Sequence, residues 1–297
     1  MAADAQPRLD LVVATVDRTD DLERLLVSLE AQTHTGFRLV VVDQNADERV
    51  ERILAAHPLL EALRLRSARG LSRARNAALP HLEAELVAFP DDDCAYPPDL
   101  LERVVGRFAA EPELGILSGR AAAADGVTAG RWPRAPAAVT PDTVWHAANS
   151  HTIFLRRSAV ERVGGFDEAL GLGAGTAWSS GEEIDYLVRA LRLGVRMEYD
   201  PSLVVTHPVK PVTAEELVAL GRRDGASVGY VLARNGYPVS TIARMLARPG
   251  LGAVLSLALL DGTRARFHAA TLAGRLSGLR AGARATRRSP RGARASR

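Results

Sequence analysis

The stretch "AELVAFPDDDCAYPPDLLERVVGRFAA" (residues 84–110) decides how the whole chain reads. It opens with an apolar run of strand length, 84–90. From Pro98 it carries leucines, valines and a phenylalanine at helical spacing, with proline in the first turn. Between them stand three adjacent carboxylates, Asp91, Asp92 and Asp93. Like charges side by side repel, and water relieves this only if all three are well solvated. Either they form an ordinary acidic turn before Pro97 and Pro98, or a positive partner belongs there.

The same alternation continues on both sides. "LDLVVATV" (9–16), "FRLVVVDQN" (37–45), "ALRLRS" (62–67) and "LGILSG" (114–119) read as strands. "DDLERLLVSLEAQT" (20–33, with Asp20 as its cap), "ERVERILAA" (48–56) and "GLSRARNAAL" (70–79) read as helices. Strand and helix in turn predict an α/β fold, with a mainly parallel central sheet flanked by helices. Ligands of such sheets bind outside the carboxyl ends of the strands. Asp17, Asp43 and Asp91 to Asp93 all fall there, so acids from three strands are expected to face one crevice.

Further on the pattern loosens. Residues 120–148 lack periodicity and hold three prolines, which predicts a loop. Residues 150–166 read as a strand and short helix, 182–194 as a helix ended by Gly194, and 195–208 as short strands. From 213 to about 280 the chain reads as helical. "LGAVLSLALL" (251–260) is apolar, but a membrane span needs about 20 residues. It is therefore a packing helix or an interfacial one. The expected organisation is an α/β domain over 1–210, a helical appendage over 211–280 and a basic, disordered tail over 281–297.

Composition sets further bounds. The chain has 297 residues, 47% hydrophobic, enough for a real core. Its one cysteine, Cys94, excludes an internal disulfide and fits a reducing compartment. The N-terminus lacks a basic start and an apolar signal segment, so a cytoplasmic protein is expected. All 35 acids lie at or before Asp261, and ten arginines follow it. The body thus carries 28 basic against 35 acidic residues, a net of −7, which argues against a nucleic-acid partner for the main domain. The basic end suits an anionic membrane surface, at the inner face of the cell membrane, or nucleic acid, or is a solvated disordered end. Lys210 is the sole lysine.

The segments "VVATVDRTDDLERLLVSLEAQT", "VVVDQN", "GLSRARNAAL", "AFPDDDCAYPPDLL", "GGFDE", "GEEIDYLVRAL" and "VVTHP", in this order, resemble glycosyltransferase family 2. The likeness covers about residues 9–208. It implies a GT-A-type nucleotide-sugar-binding fold, and inverting transfer of a sugar from a nucleoside diphosphate donor to an acceptor hydroxyl. UDP- and dTDP-linked donors are implied, with a glycan, lipid-linked or small-molecule acceptor. The first strand end departs from the family, with Ala14-Thr15-Val16-Asp17 where many members have a Pro-x-Tyr-Asn type sequence.

The chemistry can be assigned on that basis. In an extended stretch, residues i and i+2 point the same way, so Asp91 and Asp93 can face one hard cation, Mg2+ or Mn2+, while Asp92 points elsewhere, toward donor sugar or ribose. The family's DxD motif matches this spacing. His207 matches a histidine that ligates metal in several branches; an imidazole tilts preference toward Mn2+. Thr15, Val16, Asp17 and Asp43 map onto base and ribose contacts. Arg73, Arg75 and Asn76 open a helix where side chains and free amides suit phosphate or uracil oxygens. The opening turn of the 182–194 helix supplies Glu182, Glu183 and Asp185. Asp185 has Arg189 four residues on as a surface partner. Glu183 has apolar neighbours and no cation, as suits a base. The family's Glu-Asp motif also maps its base onto Glu183, one methylene longer here. Trp178, or Trp145 with His146, is available for sugar stacking. Two other readings remain: a non-catalytic nucleotide-sugar-binding or membrane-recruited scaffold, and a sugar nucleotidyltransferase, against which stands the lack of a glycine-rich loop after the first strand.

Overall fold

The structure is a computed structural model and describes residues 8–128 and 132–288. It contains two compact units, residues 1–167 with 186–210, and residues 168–185 with 211–297. Residues 289–297 of the expected tail lie outside the described residues.

The first unit is built on one eight-stranded sheet. Its strands are β1 (Leu9–Thr15), β2 (Phe37–Asp43), β3 (Ala62–Arg66), β4 (Leu86–Ala88), β5 (Ile116–Ala122), β6 (Ala137–Ala138), β7 (Ile153–Arg156) and β8 (Met197–Thr206). They run in the order β3-β2-β1-β4-β7-β5-β8-β6. β3, β2, β1 and β4 are mutually parallel, as are β5 and β8, while β7 and β6 run antiparallel to their neighbours. Helices α1 (Thr19–Glu30), α2 (Arg49–Ala56), α3 (Leu71–Ala78), α4 (Leu100–Ala110) and α5 (Arg157–Val163) follow β1, β2, β3, β4 and β7. The sequence alternation thus becomes the predicted mainly parallel α/β sheet.

Helical spacing explains the packing. Leu22, Leu25, Leu26 and Leu29 of α1 and Leu101, Val104, Val105 and Phe108 of α4 join Leu9, Leu11, Val13, Leu39 and Val41 in one core. The alternate positions 9, 11 and 13 share a face of β1. Asp20 does not cap α1: the cap position is Arg18, and Asp20 sits in the first turn, where the helix dipole favours an acid.

Register brings the strand ends level. Thr15 lies beside Asp43 and Asp43 beside Arg66, while Asp91 bridges to Ala14. The 195–208 segment forms one strand, not several. Its Pro201 is absorbed where the β5–β8 register shifts between Ser118 and Arg120. Helix α6 (Glu182–Arg192) contains the division between the units, after Asp185.

The second unit is helical, with α7 (Ala214–Arg234), α8 (Val239–Ala258) and α9 (Gly262–Arg288). Residues 281–288 are thus helical, where the sequence suggested the start of a disordered tail. Gly221, Gly225 and Gly229 of α7 face α9, and Gly274, Gly278 and Gly282 of α9 face α7. A Cβ at Gly225 would collide with the Thr271 carbonyl, and one at Gly278 with that of Ala226. The two backbones pack in direct contact because each turn lacks a side chain there.

Candidate functional site

Three chain segments bring the acidic triplet and two histidines together. The first is the segment after β4 that carries the triplet. The second is the end of β8: Ala95 donates to the Thr206 carbonyl at 2.8 Å and accepts from its amide at 3.0 Å. That pairing sets His207 beside Asp93, with Nε2 to Oδ1 at 3.1 Å. The third is a single helical turn, Ser150–Thr152, closed by a reciprocal cap between Asn149 and Thr152. It presents Ser150 Oγ at 3.2 Å and His151 Nδ1 at 2.9 Å from Asp91.

The two imidazoles stack, centroids 4.5 Å apart and planes 13° apart. One ligand atom each from Asp91, His151 and His207 lies within 4.8 Å of the others, a spacing suited to one metal ion. His151 is buried, and its Nε2 has no hydrogen-bond partner among the described residues. A buried nitrogen left so is costly unless something else completes it, and a divalent cation would. The donor set of one carboxylate and two imidazoles, with Asp93 adjoining, suits Mn2+ better than Mg2+.

The triplet does not rely on a metal for its positive partners. Arg18 Nη1 lies 2.9 Å from Asp92 and 3.1 Å from Asp93, Lys210 Nζ lies 3.0 Å from Asp93, and Arg75 Nη2 lies 3.4 Å from Asp91. Arg75 is 2% exposed, its guanidinium over the rings of Phe89 and Phe166. These contacts divide the three acids. Burial pushes Asp91 up, but the His151 hydrogen bond and charge and the Arg75 charge outweigh it, so Asp91 falls below its ordinary value. Burial opposes ionisation of Asp93 too, yet His207, Lys210 and Arg18 hold it well below the usual carboxylate range. Asp92 turns the other way, accepting from Thr15 Oγ1 at 2.9 Å. Burial raises its pKa against Arg18 and Thr15. The hydrogen bond to Asp93 raises that of His207, against burial. The three acids lie in a turn, closed by the Cys94 amide on the Asp91 carbonyl at 3.2 Å, and not in the extended stretch the sequence suggested; Arg18 bridges Asp92 and Asp93, while His151 and Arg75 hold Asp91.

The neighbouring strand ends are differently engaged. Asp43 is fully buried; one oxygen accepts from Arg64 Nη2 at 2.8 Å, the other from the Asn45 side chain at 2.8 Å. Asp17 adopts a left-handed backbone, φ 59°, and pairs with Arg69 at 2.5 Å. Val16 is half-buried. From α3, Arg75 reaches the triplet. Asn76 clamps Phe166 through both its amide and carbonyl, at 2.7 and 3.0 Å, and Arg73 is exposed, donating to the Arg69 carbonyl at 3.3 Å.

In the second unit, Glu182 and Asp185 are buried and Glu183 half-buried. Asp185 is no surface acid: it accepts from Asn235 Nδ2 at 2.7 Å. Arg189 in the first unit donates to the carbonyls of Val163 and Gly165 at 3.0 and 2.8 Å. The Trp178 ring stacks on Tyr230, centroids 5.2 Å apart, so one of its faces is taken up within the fold. Sequence reasoning missed His151, Ser150 and Arg18. Only the polar run Asn149-Ser150-His151-Thr152 before an apolar strand hinted at the first two.

The profile of Glycosyl transferase family 2 matches residues 10–164, more than half of the chain. The chain belongs to glycosyltransferase family 2. It is 29% identical over 213 residues to the pre-mycofactocin glycosyltransferase of Mycobacterium tuberculosis, covering 66% of this chain and 42% of that protein. It therefore spans less than half the length of that relative. Succinoglycan biosynthesis protein ExoO of Rhizobium meliloti is 25% identical over 75% of this chain and 67% of its own. Among solved structures, a mannosyltransferase from Pyrobaculum calidifontis, in complex with GDP-Man and Mn2+, superposes with a TM-score of 0.61 at 20% identity, covering 93% of this chain and 88% of that one. S. aureus TarS gives 0.59 at 17% identity, covering 91% and 55%. The family 2 chain thus has the GT-A type of fold expected of it.

Proposed function

We propose that this chain is a metal-dependent, inverting glycosyltransferase that moves a sugar from a nucleoside diphosphate donor to an acceptor hydroxyl. The observation that carries the reading is the Asp91–His151–His207 cluster beside Asp93, at the carboxyl ends of the sheet strands. Those four side chains would hold a divalent cation. A bound cation supplies positive charge against the charge that grows on the leaving diphosphate. Arg18 and Lys210, already at Asp93, add the chain's own cations for phosphate oxygens. Thr15 fixes Asp92 for a contact with donor sugar or ribose. Val16, Asp17 and Asp43 border the base subsite, with Arg73, Arg75 and Asn76 on the phosphate side.

Glu183 is the proposed base, with Glu182 and Asp185 beside it on the same helical turn. It takes the proton of the acceptor hydroxyl as that oxygen bonds to the anomeric carbon. The bond to the diphosphate breaks on the opposite face, its electron pair leaves with the nucleotide, and the configuration inverts. UDP- or dTDP-linked donors are the first candidates, and a glycan, lipid-linked or small-molecule hydroxyl the acceptor. The mannosyltransferase neighbour adds GDP-mannose to the donors worth testing.

The test is a thermal-shift screen of UDP-, dTDP- and GDP-linked sugars with and without Mn2+, since a specific ligand stabilises the folded state by mass action. Donors that shift the protein are then assayed for nucleoside diphosphate release, and products for anomeric configuration by proton NMR. A shift only with metal, with an inverted product, is expected. Equal shifts after chelation would remove the metal from the reading, and binding without turnover would favour a scaffold role.

A further inference from the structure

The segment 251–260 packs on α9 along one side, through Gly252 against His268, and leaves an aliphatic face uncovered among the described residues. Leu251, Val254, Leu255, Leu257, Leu259 and Leu260 are between 62% and 93% exposed. Within these ten positions no residue is charged, and the one polar side chain, Ser256, is buried. Leu251, Val254 and Leu255 share one face of α8, and Leu259 and Leu260 extend past its end. Leu260 takes a left-handed backbone, φ 55°, at 93% exposure. A position just past a helix usually belongs to glycine, because a side chain there costs about 1–2 kcal/mol. Here a large aliphatic side chain stands in it with almost no cover.

Along α8 and α9 the charge is almost wholly positive. From residue 225 onward the chain's single acid is Asp261, whose side chain is paired with Arg264 at 3.3 Å. Arg244 and Arg248 are exposed two turns and one turn before the aliphatic cluster, and Arg264 and Arg266 are exposed just after it. Arg280, Arg284 and Arg287 continue the series along α9. No helix among the described residues is long and apolar enough to cross a membrane.

We propose that the α8–α9 corner is a monotopic docking surface for a bilayer rich in anionic phospholipid. Its aliphatic side chains enter the headgroup–acyl boundary, and the arginines on both sides pair with lipid phosphates. Nucleic acid matches the arginines but offers no apolar phase for six aliphatic side chains. The surface lies wholly in the helical unit and does not depend on the catalytic reading.

The test is vesicle co-sedimentation of the full chain, with phosphatidylglycerol–phosphatidylcholine vesicles against phosphatidylcholine alone, at low and high salt. Two paired variants, Leu255→Gln with Leu260→Gln and Arg264→Gln with Arg266→Gln, alter only exposed side chains; circular dichroism checks their fold. Binding is expected for anionic vesicles, weakened about tenfold or more by either pair. Absence of binding, or binding that the leucine pair leaves unchanged, would overturn the proposal. So would a dimer in sedimentation velocity that the leucine pair dissolves, because the corner would then be covered by a second copy.

Discussion

Replacing Gly278 with alanine tests the helical unit most directly. Alanine is the better helix former by about 1 kcal/mol, so propensity alone predicts a gain. The packing predicts the opposite. A Cβ at 278 would stand 2.7 Å from the Ala226 carbonyl carbon and 2.8 Å from the Tyr230 nitrogen, and closer still to the Ala226 carbonyl oxygen. These are backbone atoms and cannot rotate aside, so α7 and α9 must separate. Overpacking of this kind costs about 1–3 kcal/mol. With rigid neighbours the upper end applies, leaving a net loss of about 2 kcal/mol after the propensity gain. Gly106, exposed on α4 with nothing within 4 Å of its ideal Cβ, is the control. There alanine should stabilise by about 0.5–1 kcal/mol. Urea unfolding followed by far-UV circular dichroism reads both, with opposite shifts of midpoint expected. A Gly278→Ala protein that unfolds at or above the parent midpoint would refute the argument from backbone contact.

Glu183→Gln should keep its donor-dependent thermal shift and lose transfer by about 10²–10⁴-fold, the usual worth of a general base; retained turnover in a nucleotide-release assay would place the base elsewhere. His151→Ala should lower Mn2+ affinity about tenfold or more, read by electron paramagnetic resonance titration without substrate; unchanged affinity would leave that imidazole a mere neighbour of Asp91. His57, buried between α1 and α2, gives a pH signature. Burial disfavours its charged form, but hydrogen bonds to Glu30 and Glu23, at 2.9 and 3.0 Å, outweigh that and raise its pKa. Its stabilising contribution is therefore complete below the ordinary imidazole value of about 6.5 and fades as pH rises through the folded value. His57→Gln should cost about 1 kcal/mol at pH 5.5 and much less at pH 9, by urea unfolding at both. An equal loss at the two pH values would deny the charge its part.

The sheet was legible because each element carries its own signal. Apolar runs mark β1, β2 and β4, and leucines at helical spacing mark α1 and α4. That Asp91, Asp93 and His207 follow the ends of β4 and β8 was legible, because an apolar run fixes where its strand stops. His151 was not, because its role rests on Asp91, 60 residues away in sequence, and no local pattern records that distance. The positive partners of the triplet escaped for a similar reason. Arg18 lies just past the end of β1, in what reads as an ordinary turn, and Lys210 lies beyond His207 in a proline-flanked loop. Asp185 illustrates the limit of local spacing. Its place in the first turn of a helix read as a surface position, yet it is buried and accepts from Asn235. The 195–208 segment read as short strands, while a register shift against the neighbouring strand lets one long strand contain Pro201.

Lys210 also makes the site observable. It is the chain's only side-chain amine, more than half exposed, and ion-paired to Asp93. An amine-selective acylating reagent therefore has a single side-chain target, and its rate depends on what occupies Asp93. Isotope-coded acetylation followed by peptide mass spectrometry would report the state of that carboxylate in the intact protein, without turnover and before any acceptor is known.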